Sequence, residues 1–159
     1  MRRILRALAV IAVACGTAFS AVTPAAAHDL GSDRFQVTLR NATEDYVDNG
    51  PKGPSVGDYF VSQDKVFHQG DRVGRLAARC DVTRAGPQRF AFACTVTLDL
   101  RHRGQIALQG LFAFRRGKPG GPLAELAITG GTRWYAHASG TATLVELRGE
   151  PARLRIDMR

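Results

Sequence analysis

Between Phe35 and Met158 apolar side chains recur at alternate positions, and no stretch of useful length keeps a helical period. A chain patterned in this way buries its apolar atoms as strands with one face turned inward. Glycine and proline cut the alternation into eight segments: Arg34 to Arg40, Asp58 to His68, Arg72 to Val82, Arg89 to Leu100, Gln105 to Phe114, Leu123 to Ile128, Ala136 to Leu147 and Ala152 to Met158. Eight antiparallel strands close into a barrel whose interior is either filled by side chains or holds one small ligand. The expected fold class is therefore all-β, an eight-stranded antiparallel closed barrel. Two turn-rich stretches remain as connections, Asn41 to Val56, long enough to cover one mouth, and Arg115 to Pro122.

The first 27 residues read differently. Arg2, Arg3 and Arg6 precede an apolar run from Ala7 to Ala14 and small residues ending Ala25-Ala26-Ala27, the three regions of a secretory signal. Cleavage after Ala27 is expected, leaving residues 28 to 159 as one barrel domain, secreted or periplasmic. Two other readings of the leader stay open: a twin-arginine signal at Arg2-Arg3, and a lipoprotein box at Ala12-Val13-Ala14-Cys15. No segment reaches the ~20 apolar residues that a membrane helix needs, so no membrane span is expected.

Charge narrows the partners. The chain carries 22 basic and 14 acidic residues, a formal net charge of +8. Its arginines are scattered along the strands rather than gathered into a patch with interleaved aromatics, so nucleic acid is not an expected partner. No histidine or cysteine cluster has metal-ligand spacing, and neither a metal nor any other cofactor is expected.

Cys15 leaves with the leader, so Cys80 and Cys94 remain, and an exported chain with an even pair suggests a disulfide. Segments three and four flank Ala85-Gly86-Pro87-Gln88. A hairpin centred near Pro87 sets Cys80 opposite Cys94, where an antiparallel non-hydrogen-bonded pair brings Cα atoms to about 4.5 Å. The alternative is two buried free thiols.

From Val56 to about Leu147 the chain resembles the allene oxide cyclase and dirigent superfamily. The resemblance rests on Gly57-Asp58, on Val73-Gly74-Arg75 with Cys80, on Gly104-Gln105-Ile106-Ala107-Leu108-Gln109-Gly110, and on the run Glu125-Leu126-Ala127-Ile128-Thr129-Gly130-Gly131 through Gly140. It implies a calycin-like barrel, a homo-trimer, and cyclisation or stereochemical guidance of an apolar, reactive small molecule without a cofactor. Asp64 stands where the cyclases' second-strand asparagine falls, and Gln63-Asp64 aligns with a pair of dirigent aspartates.

Asp64 is the candidate catalytic residue. On a regular second strand Phe60, Ser62, Asp64 and Val66 share a face, and an inward Phe60 carries Asp64 into the lumen; a one-residue slip turns it out to solvent. A carboxyl in an apolar barrel holds its proton longer and serves as a general acid or base. Phe60, Phe92 and Phe112 are the expected ligand-lining residues, by strand parity. Two other roles remain: a carrier that binds a lipophilic molecule unchanged, and an exported interaction protein whose lumen is packed core.

Overall fold

The computed structural model describes residues 30–115, 123–146 and 149–159. The expected leader and the Arg116 to Pro122 connection lie outside them.

Eight strands, β1 (Arg34–Val47), β2 (Tyr59–His68), β3 (Asp71–Ala85), β4 (Arg89–Leu100), β5 (Gly104–Arg115), β6 (Leu123–Gly131), β7 (Gly140–Val145) and β8 (Arg153–Met158), follow one another around a closed barrel. Each pairs antiparallel with its sequence neighbours, and β1 meets β8 through Arg34↔Asp157 to Thr38↔Arg153. The alternation produces this directly. On β4, Cys94, Val96, Leu98 and Leu100 are buried while Ala93, Thr95 and Thr97 are exposed, and on β5 Ile106 and Leu108 are buried between exposed Gln105, Ala107 and Gln109. Gln69 (φ 51°) and Gly70 (φ 97°) both adopt the positive φ that a tight two-residue hairpin between β2 and β3 requires.

Two segments depart most from the expected boundaries. The first strand does not stop at Arg40 but runs to Val47. Its pairing with β2 jumps from Arg40↔Lys65 to Thr43↔Gln63, so that Asn41 and Ala42 together stand opposite Asp64 as a β-bulge. The expected long connection therefore shrinks to residues 48–58. The seventh strand begins at Gly140 rather than Ala136, because the chain first makes a single 3-10 turn at Arg133–Tyr135, with Arg133 at φ 55°. That turn sends the Tyr135 ring inward, where its hydroxyl donates to the Leu30 carbonyl at 2.9 Å.

The barrel is unequal along its axis. One half is filled by Phe35, Val37, Val66, Leu98, Leu100, Ile106, Leu108, Ile128, Tyr135 and Ile156, all buried in one cluster. The other half, where β1 ends and β2 begins, is hollow.

The 48–58 connection at the hollow end is held by Asp58, which is fully buried. Its carboxylate accepts from the Tyr46 hydroxyl at 2.6 Å, the Ser55 amide at 2.6 Å, the Asn49 amide at 2.9 Å and the Ser55 hydroxyl at 3.1 Å. The Tyr46 hydrogen bond, reinforced by those from Ser55 and Asn49, outweighs burial and holds the Asp58 carboxyl down at about 2, and the same bond lifts the Tyr46 phenol to about 12.

Candidate functional site

The hollow half is a cavity of about 500 Å³, within the size range of small-molecule sites. Its wall is mostly apolar. Phe60, Phe92, Phe112 and Phe114 line it, with Leu39, Leu76, Val96, Leu126, Leu144 and Leu154. Phe92 packs edge-to-face on Phe60 (ring centroids 5.6 Å apart) and on Phe114 (5.8 Å), an arrangement in which a ring's positive edge meets a neighbour's negative face. The three Phe residues expected from strand parity all reach the lumen. Phe114, two residues on from Phe112, joins them and was legible by the same parity.

Cys80 and Cys94 form a disulfide with Cα atoms 4.0 Å apart, pairing opposite each other across β3 and β4 and facing the cavity. Gly110 is the residue opposite Cys94 on the next strand. A Cβ there would stand 2.8 Å from Leu126 Cδ2 and 2.9 Å from the Glu125 carbonyl, so the close approach of β6 requires glycine.

Among the described residues the lining contains three carboxyl groups, those of Glu44, Asp64 and Glu146, and no lysine, arginine or histidine. Asp64 lies on the inward face of β2 with Phe60, Ser62 and Val66, paired across from Leu76 on β3. It is half-buried. Removal from water, and secondly the charge of Glu44, raise its pKa above the ordinary carboxylate range. Glu146 follows Ala142 and Leu144 on the inward parity of β7. Glu44 is inward only because of the bulge: regular alternation from Leu39 would have carried Thr43 and Asp45 inside. Parity alone reaches Glu146 but not Glu44.

Chemically, this arrangement can enclose a flat or flexible apolar molecule, exclude water from most of it, and present beside aromatic faces a carboxyl whose proton affinity is raised. Among the described residues no cluster of His, Cys, Asp and Glu is arranged to hold a metal ion, and no helix is long and apolar enough to cross a membrane.

The family model for the allene oxide cyclase barrel like domain matches residues 35–156. Among solved structures the chain is similar to a pyocyanin demethylase, at 24% identity and TM-score 0.68, covering 79% of this chain and 99% of that one. It is also similar to the Diels Alderase AbmU from Streptomyces koyangensis, at 16% identity and TM-score 0.59 over 82% of this chain. A nonspecific heme-binding cyclase that catalyses a cycloaddition in neoabyssomicin biosynthesis matches at 12% identity and TM-score 0.55 over 78% of this chain. The chain spans 66% and 61% of the length of the last two. No curated protein sequence matches it. At these identities the likeness establishes the fold, and the chemistry has to be argued from the lumen.

Proposed function

We propose, from the premise that this chain belongs to the allene oxide cyclase barrel-like family, that it is an exported barrel that binds an apolar, reactive small molecule in its lumen and guides its cyclisation or isomerisation. One observation carries the reading: a half-buried carboxyl, Asp64, whose burial favours the protonated form, set in a mostly apolar and aromatic cup. Such a cup contributes by shape, desolvation and restraint of the substrate near its reactive conformation, and needs few chemical groups. Asp64 supplies the proton transfer. The cyclases among the structural neighbours support the reaction class. The disulfide is compatible with an oxidising compartment, which supports export, and the family resemblance supports a homo-trimer.

Native mass spectrometry of protein isolated from its own source identifies the lumenal ligand and counts the subunits. The recovered compound or its linear precursor is then incubated with the protein and followed by chromatography, because isomerisation changes retention without changing mass. Asp64→Asn is expected to keep the fold and lower turnover by roughly 10²- to 10⁴-fold, the usual worth of a general acid or base. A compound bound by both proteins and returned unchanged by both establishes the second reading, a lipophilic carrier, which the apolar lining also supports. In that case Phe92→Ala or Phe112→Ala weakens binding and Asp64→Asn does not.

A further inference from the structure

We propose that Glu44 is the positioning residue that makes Asp64 a proton donor in the lumen. The inference rests on the reading of the lumen as the functional site, and it assigns a role to the irregularity that stands opposite Asp64. The bulge at Asn41 and Ala42 stands directly opposite Asp64. Its extra residue changes the parity of β1, so the carboxyl that enters the cavity belongs to Glu44 and not to Asp45. Bulges commonly re-aim a side chain next to an active site.

The register sets the two carboxyls at different depths. Glu44 pairs with Ser62, one inward step nearer the mouth than Asp64, which is followed by fully buried Val66. Glu44 is exposed to solvent and Asp64 half-buried. The deeper carboxyl, removed from water and beside Glu44, holds its proton more tightly than an ordinary aspartate.

Burial is the larger cause of the raised Asp64 pKa, and among the described neighbours Glu44 supplies the charge that adds to it. On β3 the inward residues beside it are Leu76 and Ala78, both uncharged. Arg40 and Lys65 are exposed and stand on the outer parity of β1 and β2, with the Arg40 guanidinium over the Phe67 ring. Glu146 is the remaining carboxyl of the described lining. Among the described residues no cation lines the cavity to hold Asp64 ionised. Asp64 therefore donates its proton to an oxygen acceptor, such as a carbonyl, on an otherwise apolar ligand, and recovers a proton from the rearranged ligand or from water. The substrate class is an apolar molecule with a hydrogen-bond-accepting oxygen and no cationic group.

Carbon-detected NMR of side-chain carboxyls, titrated with pH, reads Asp64 directly, with Asp64→Asn providing the assignment. In the wild type its midpoint is expected above that of an ordinary aspartate. Glu44→Gln should move it to lower pH, Glu44→Asp should largely preserve it, and Asp45→Asn, on the outer face, should leave it in place. An unchanged midpoint in Glu44→Gln, or an equal shift in Asp45→Asn, overturns the inference.

Binding of 9-fluorenone and of fluorene, which lacks the acceptor oxygen, separates this inference from the reading beneath it. Weaker binding of both probes in Phe112→Ala puts them in the lumen. There the preference for fluorenone should disappear as pH rises through the Asp64 midpoint, and should do so at lower pH in Glu44→Gln. Equal, pH-independent binding of the two probes in the lumen overturns the proton-donor role and leaves the lumen reading intact. Binding unmoved by Phe112→Ala overturns the lumen reading, and the inference with it.

Discussion

Two aspartates show how the same side chain is driven in opposite directions by what surrounds it. Asp58 has every oxygen engaged by amides and hydroxyls, which favours the charged form, whereas Asp64 faces phenylalanines and a neighbouring carboxyl, which favours the neutral one. The consequences for stability have opposite signs. Asp58, ordinarily near 3.8 and held at about 2 in the folded protein, stabilises the fold above pH 4, and that contribution is lost as pH falls from about 4 to about 2. Asp58→Asn should lower the melting temperature at pH 7 and flatten this acid limb, as thermal melts at a series of pH values will read. Asp64, raised in the folded state, costs stability as pH rises from the ordinary carboxylate range through its raised midpoint. Asp64→Asn should therefore melt no lower than the wild type at pH 7 while losing turnover, the pattern expected where a residue is kept for function at some expense of stability.

Among the elements, β3 and β4 carry the one covalent tie. Their pairing runs from Gly74↔Leu100 to Ala85↔Phe90, with Cys80 facing Cys94. Replacing both cysteines by serine should cost about 3 kcal/mol, the chain-entropy worth of closing a loop of this size, measured as a shift in the denaturant midpoint. This pairing was legible in the sequence because alternation around both cysteines and the turn near Pro87 set which residues face each other, although the register shifts between Val82 and Arg84. The same logic found Phe60, Asp64, Phe92 and Phe112, all on strands that alternate without interruption up to those positions. It failed on β1, where Asn41 and Ala42 carry no glycine or proline to announce an irregularity, so the segment beyond Arg40 looked like loop and Glu44 was not seen. It failed also before β7, where Tyr135 leaves the strand direction to seal the end of the barrel, a tertiary demand that local alternation does not encode.

Across the whole molecule the lumen divides into a packed half and a hollow half, and substitutions should divide with it. Leu98, with no exposed surface, has neighbours on all sides that relax only partly, so Leu98→Ala should cost about 2–5 kcal/mol. Phe112 borders open space, and shortening it enlarges a cavity that already exists. Phe112→Ala should cost less stability than Leu98→Ala and more ligand affinity, a contrast that paired thermal melts and binding titrations will test. The plug formed by Tyr135, Leu30 and their neighbours also makes the lumen a cul-de-sac. A visitor that goes in head first comes out tail first, and a long chain has to double back on itself to fit. On the proposed reading, departing product and arriving substrate share one doorway, so accumulated product would obstruct the next turnover, and a chemistry confined to a single guest suits such a vessel better than one that must gather two.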